Sequence, residues 1–136
     1  MNRTLVIVKP DGVERGLVGE IVSRLEAKQL RIVAGQIRTI DAATATRHYA
    51  EHEGKSFFDS LVTFIGRSPS FVLVVEGPGD TWRIVRAMMG ATNPADATPG
   101  TIRGDLATAM SENLIHGSDS IEAAVREIAI FFPDLE

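Results

Sequence analysis

FVLVVEGPGDTWRIVRAMMG (residues 71–90) sets an unbroken apolar run, Phe71–Val75, directly before a helical segment, Thr81–Met89. The run has a strand's length and a buried strand's composition. A single buried strand handing over to a helix implies a sheet with helices packed on it, and the rest of the chain supplies the partners. Toward the N-terminus, Leu5–Val8 is a short β-rich run stopped by Lys9-Pro10-Asp11-Gly12, a turn sequence. Apolar residues at 17, 18, 21, 22 and 25 then predict a helix from Leu17 to about Gln29. Arg31–Ile40 is a strand interrupted by Gly35, at a bulge or a close approach. Asp41 caps an alanine-rich helix running through Glu51 and ended by Gly54, and a second short helix runs from Phe57 to about Ile65.

Toward the C-terminus, Gly90–Arg103 is a long Pro/Gly/Thr loop, and Leu114–Ile115 is a short strand piece. The last helix carries Ile121, Ala124, Val125, Ile128, Ala129 and Phe132 on one stripe. The order is β-α-β-(αα)-β-α-loop-β-α. This predicts an α+β fold of the ferredoxin-like α/β sandwich type, a four-stranded antiparallel sheet with helices on its faces and a long loop before the last strand. Residues 1–136 are expected to form one domain, since the chain has no linker, repeat or low-complexity tract and is long enough to bury a core. Loops as long as 90–113 are uncommon in compact domains and are often functional.

Composition narrows the function classes. The sequence is 44% hydrophobic and 24% charged, with a net charge of −4, so its global field does not favour nonspecific binding to nucleic acid or anionic membranes. It has no cysteine, which excludes disulfide scaffolds and cysteine-based zinc sites and fits a reducing compartment. Neither MNRTLVIVKPDG (1–12) nor any other stretch has the apolar length of a signal or spanning segment, so a cytoplasmic location is expected.

Four stretches carry candidate chemistry. HYAEH (48–52) matches H-x-x-E-H, in which His48 and His52 on one helical face would bind zinc with Glu51 as general base; a solvated helix end is the competing explanation. Lys9 stands where a strand ends, either to meet a ligand or as a solvated charge. Arg86, Thr92 and Arg103 sit in a segment poor in acids, with glycine-exposed backbone nearby. These are the parts of a phosphate clamp, or else two arginines tethering a surface loop. No Walker A or Gly-x-Gly-x-x-Gly sequence is present. In NLIHGSDS (113–120), His116 has Asn113 before it and Gly117 beside it, and Glu127 on the next helix is able to orient the ring. A neutral imidazole is a competent nucleophile that forms a high-energy phosphoramidate. Spacing alone leaves a structural histidine and a nucleophile both open.

VKPDGVERGLVGEI, HYAEHEGKSFF, TNPADATPGTIRGD and NLIHGSDS occur together and in this order, and nearly the whole chain, Thr4 to Phe132, resembles the nucleoside diphosphate kinase family. The resemblance implies transfer of the γ-phosphate of a nucleoside triphosphate, ATP among them, onto a histidine and then onto a nucleoside diphosphate, with magnesium as cofactor. His116 would be the phosphorylated nucleophile, with Glu127 and Ser118 orienting it. Lys9 and Asn113 would bind the sugar hydroxyls, and Lys9 would also reach the transferring phosphate. Arg86, Thr92 and Arg103 would hold the phosphates, and Tyr49 would line the pocket. Phe57 and Leu61 would cover the base, with Met110 against it where the family often has a β-branched residue. Magnesium would sit mainly on phosphate oxygens and water, with no protein residue assigned to it, which leaves His48 and His52 without a metal to hold. A homo-oligomer, hexamer or tetramer, is implied, with neither nucleic acid nor membrane as a specific partner. Two further departures are Ser68, where a glycine commonly precedes the proline, and a stretch before Arg86 that is one residue longer than usual. A binding module without turnover and a zinc peptidase are the competing functions.

Overall fold

A computed structural model describes residues 2–136. Its sheet has four antiparallel strands in the order β2-β3-β1-β4: β1 is Asn2–Val8, β2 Arg31–Arg38, β3 Ser70–Gly77 and β4 Ile115–Gly117. The helices are α1 Pro10–Glu14, α2 Val18–Ala27, α3 Ala42–His48, α4 Phe58–Ile65, α5 Thr81–Met89, α6 Ile102–Leu106 and α7 Ile121–Phe131. This is the expected sandwich. The central strands are apolar over most of their length because both faces of the sheet are covered. Alternation sends Val6, Val8, Leu73 and Val75 into one core with Ile21, Leu25, Val85 and Met89 of α2 and α5. Leu5, Ile7, Val72 and Val74 enter the other with Ala45, Ile65 and Phe131 of α3, α4 and α7. No helix among the described residues is long and apolar enough to cross a membrane.

Several boundaries differ from the sequence expectation, each for a local reason. The turn at Lys9–Gly12 is the start of α1: Pro10 takes the first helical position, where its missing N–H is not needed. The irregularity of β2 falls between Ile32 and Ala34, while Gly35 is the close approach, since a Cβ there would lie 2.9 Å from the Phe71 ring. Asp41 caps α3 by accepting the Thr44 N–H at 2.7 Å, but α3 ends at His48 and the chain continues as a 3₁₀ turn over Ala50–His52. The loop 90–113 is not structureless: it contains a 3₁₀ turn at Pro94–Asp96 and the helix α6, so Arg103 is a helical residue. The α7 stripe is also displaced. Ala123, Ala124, Glu127 and Phe131 are buried, whereas Ile121 and Val125 are 47% and 67% exposed.

Candidate active site

A cleft of about 850 Å³ lies between the α3–α4 hairpin, the C-terminal part of α5, the loop 90–113 and β4, a size suited to a small-molecule ligand. Every residue singled out in the sequence for the nucleotide site lines it except Ser118: Lys9, Tyr49, Phe57, Leu61, Arg86, Thr92, Arg103, Met110, Asn113, His116 and Glu127. Ser118 lies behind the wall, fully buried.

His116 is a strand residue rather than a loop residue. β4 runs Ile115–Gly117, and His116 pairs across with Ile7 of β1. Pairing with a central strand fixes its backbone, and its neighbours fix its ring. Nε2 hydrogen-bonds the Glu127 Oε1 at 2.9 Å, and the Ser118 hydroxyl donates to the same oxygen at 2.8 Å. Ser118 is itself fixed to β1, since the Leu5 N–H donates to its Oγ at 3.2 Å. Burial opposes charge on Glu127, yet the bond from His116, the neighbouring imidazoles and Ser118 hold its pKa below the usual value. Glu127 is thus an acceptor near neutral pH, so Nε2 carries the proton and the lone pair is on Nδ1. Among the described residues Nδ1 has no hydrogen-bond partner. Gly117 allows close packing on the other side: a Cβ there would lie 2.6 Å from the Met89 Sδ, so that flexible side chain would have to move aside.

One end of the cleft is cationic. Lys9, at the end of β1, donates from Nζ to the Asn113 Oδ1, and the Asn113 amide donates to the Thr92 carbonyl at 2.9 Å. Burial pulls the Lys9 pKa down to about 8, with Asp11 opposing and Arg103 adding to the shift. Arg103 is 4% exposed and donates to three carbonyls, those of Asn113, Gly90 and Ile115, so it ties the loop to β4 as well as lining the cleft. Burial, and then Arg86, push its pKa down to about 10, still far above neutral. Arg86 reaches the Gly117 carbonyl through Nη1 at 2.9 Å, and its Nε and Nη2 bond nothing among the described residues.

The backbone between Asn113 and His116 is held in an uncommon shape. Leu114 is buried at φ 74°, the left-handed region that a leucine rarely adopts. Its N–H donates to the Asp11 Oδ2 at 3.0 Å, and its carbonyl accepts the Lys9 N–H at 2.8 Å. Gly12 lets this turn come close, since a Cβ there would stand 3.1 Å from the Leu114 oxygen. The segment Lys9–Gly12 therefore sets where Asn113 and His116 point. Asp11 was missed in the sequence; its place beside Lys9 was a signal only of a turn.

The other end is apolar. Phe57 and Met110 are 45% and 59% exposed, with Leu61 and Phe64 among the residues lining the same end. Phe64 was also missed, although 57, 61 and 64 share a helical spacing. Burial raises the Tyr49 pKa to about 12, so its hydroxyl stays protonated. The zinc-peptidase pattern does not assemble: His48 turns inward, 3% exposed, while His52 lies against Phe57 with Lys55 on its Nδ1. Ser68 is accommodated by donating to the Glu14 carboxylate. The longer stretch before Arg86 includes Gly79 at φ 54°, and α5 begins two residues later.

Comparison with known proteins puts the chain among phosphotransferases with nucleotide substrates. The family pattern described as nucleoside diphosphate kinase matches residues 2–136. Named nucleoside diphosphate kinases from Listeria monocytogenes serotype 4a (57% identity over 136 residues; 100% of this chain, 92% of the relative) and Thermus thermophilus (58% over 132 residues; 97% and 96%) are similar along their length. The solved halophilic nucleoside diphosphate kinase of Halobacterium salinarum, in complex with CDP, superposes with a TM-score of 0.94 at 56% identity, covering 98% of this chain and 88% of that one. The chain belongs to the nucleoside diphosphate kinase family.

Proposed function

We propose that this protein moves the γ-phosphate of nucleoside triphosphates to nucleoside diphosphates in two half-reactions through His116. The observation that carries this is the line Ser118–Glu127–His116, which holds the ring by Nε2 and leaves Nδ1 free in a cleft that also holds Lys9, Arg86 and Arg103. In the first half-reaction the Nδ1 lone pair forms a bond to the γ-phosphorus while the bond from phosphorus to the β–γ bridging oxygen breaks, and the diphosphate leaves. Charge growing on the imidazole is met by Glu127. In the second, a terminal β-phosphate oxygen of another diphosphate attacks the phosphorus and the P–N bond breaks, returning the lone pair to Nδ1. Arg86, Arg103 and Thr92 hold the phosphates throughout, and Lys9 spans the transferring phosphate and the sugar with Asn113.

Among carboxylates lining the cleft, Glu127 is engaged by His116 and Ser118, and Glu51 and Asp119 are exposed single acids. That donor set suits magnesium carried in on phosphate oxygens and water, where it offsets phosphate charge, rather than a protein cage. The reading extends to one domain over residues 1–136 and to a cytoplasmic location. It also includes assembly as a homo-oligomer, hexamer or tetramer. The exposed edge of β2 at Gly35–Ile37 supports this, since an unpaired strand edge takes a second chain readily.

One site serving both nucleotides gives parallel lines in double-reciprocal initial-rate plots; intersecting lines would mean that donor and acceptor bind together. The CDP-bound relative supports a site that accepts a pyrimidine nucleotide. Phe57, Leu61 and Met110 offer only stacking and dispersion, so diphosphates of all bases should be used within about tenfold. Dideoxy nucleotides should fall by about 10²-fold in kcat/KM, because Lys9 and Asn113 lose the 3′-hydroxyl, roughly 2–3 kcal/mol. A preference for one base above about a hundredfold would show that an edge-reading residue exists.

Lys9 gives a pH signature. With its pKa near 8, it loses charge in the free enzyme as pH rises through that value. Bound phosphates favour the ammonium and raise the pKa, so binding takes up protons above about pH 8 and affinity declines there. Calorimetric titration with ADP at about pH 8.5 in two buffers of different ionisation heat should show net proton uptake, absent in Lys9→Met. Equal exchange in both proteins would remove Lys9 from the phosphate site.

A further inference from the structure

His48 has no part in the transfer just described, yet it is built into the same wall. It closes α3, is 3% exposed, and stands edge-on to His116 with ring centroids 4.7 Å apart at 84°. Neither of its ring nitrogens has a partner among the described residues. A buried polar group left bare in this way asks for a ligand. Two others converge on it: one ligand atom from each of His48, His116 and Glu127 lie within 4.8 Å of one another. In four-coordinate zinc, with bonds of about 2.0–2.1 Å, ligand atoms stand roughly 3.3 Å apart. His116 Nε2 and Glu127 Oε1 are already 2.9 Å apart, so the adjustment falls on the His48 ring.

We propose that His48, His116 and Glu127 form a site for a borderline divalent cation of the zinc class, and that its occupation shuts the enzyme off. Two imidazoles and one carboxylate are a zinc donor set, with the fourth position open to cleft water. Magnesium, which prefers oxygen and sheds water reluctantly, is discriminated against. Arg126, whose Nη2 lies 3.6 Å from the Glu127 Oε2, opposes a dication, which fits an ion that comes and goes. A zinc ion on His116 Nε2 takes the place of the proton shared with Glu127, which moves to Nδ1 and ties up the nucleophilic pair; an ion on Nδ1 covers that pair itself. Either way, the metal-bound ring has no free pair to give to phosphorus. The binding stands on the geometry alone, whereas the inhibition rests on His116 as the phosphorylated residue.

Zinc-indicator competition on the nucleotide-free enzyme tests the site. The expected result is one Zn²⁺ per chain, weakened about tenfold or more in His48→Phe, since loss of even an outer partner of a metal ligand costs on the order of ten- to a hundredfold. Phenylalanine keeps the ring packing and removes no hydrogen bond. His52→Gln should bind zinc as the wild type does. In assays at buffered free Zn²⁺, half-inhibition, taken relative to each protein's own zinc-free rate, should move by the same factor in His48→Phe. Wild-type enzyme loaded with zinc should form no phosphoenzyme from γ-labelled ATP until a chelator removes the ion. Equal zinc affinity in wild type and His48→Phe would overturn the proposal. If His48→Phe does not fold, phosphoenzyme formation from γ-labelled ATP that is undiminished at one bound zinc per chain overturns it instead. Failure to form any phosphoenzyme without zinc would count against the role of His116 and leave the indicator comparison to judge the site.

Discussion

His116→Ala loses nucleotide-to-nucleotide phosphate transfer, by on the order of 10⁴-fold or more, while its thermal unfolding stays close to that of the wild type. The size follows from the chemistry: the covalent intermediate needs a nucleophile at one place, and no other unpaired imidazole faces the cations. His52 is held at the rim by Lys55 and Phe57, and both bare nitrogens of His48 are buried. The fold survives because Glu127 keeps the Ser118 hydroxyl and β4 keeps its backbone pairing with β1. Added imidazole, entering the space left behind, should restore part of the activity. Near-normal exchange by a homogeneous His116→Ala preparation would end the account.

Arg86→Ala should lower kcat by about 10³-fold with little change in stability, because a guanidinium aimed at developing phosphate charge is worth several kcal/mol in the transition state. Its only hydrogen-bonding anchor among the described residues is the Gly117 carbonyl, and the rest of its fork is unspent. Arg103→Ala should show a comparable loss together with a lower melting temperature, since three carbonyls lose their donor at once. Side-by-side kcat and melting curves separate the two roles. Wild-type turnover in Arg86→Ala would take it out of the clamp.

The fold was legible where pattern and packing coincide. The apolar runs at 5–8 and 71–75 became the two central strands because strands covered on both faces need no polar alternation. α5 matched its expected bounds, with Gly90 ending it at φ 86°. Elsewhere tertiary contacts decided. Composition made Leu114 a strand residue, but the Asp11 carboxylate takes its N–H and turns it left-handed, moving the strand on to His116. On α7, spacing favoured Ile121 and Val125 as core, yet the buried line runs through Glu127, a position only the partnership with His116 and Ser118 makes tolerable for a carboxylate. The cleft residues were named by resemblance, and the structure brings them together. The loop tether that spacing offered for Arg103 as an alternative to the clamp is present alongside its place in the cleft, whereas no pattern carried the part played by Asp11 in shaping the turn or by His48, bare against the His116 ring.

Incubation of the purified protein with γ-labelled ATP and magnesium, followed by removal of nucleotide and a chase with a different nucleoside diphosphate, tests the central claim most directly. The account predicts one label per chain, acid-labile and base-stable as a phosphoramidate is, located on His116 and passed quantitatively to the chasing diphosphate. Label that never becomes covalent while exchange proceeds, or that sits on a residue other than His116, would contradict it.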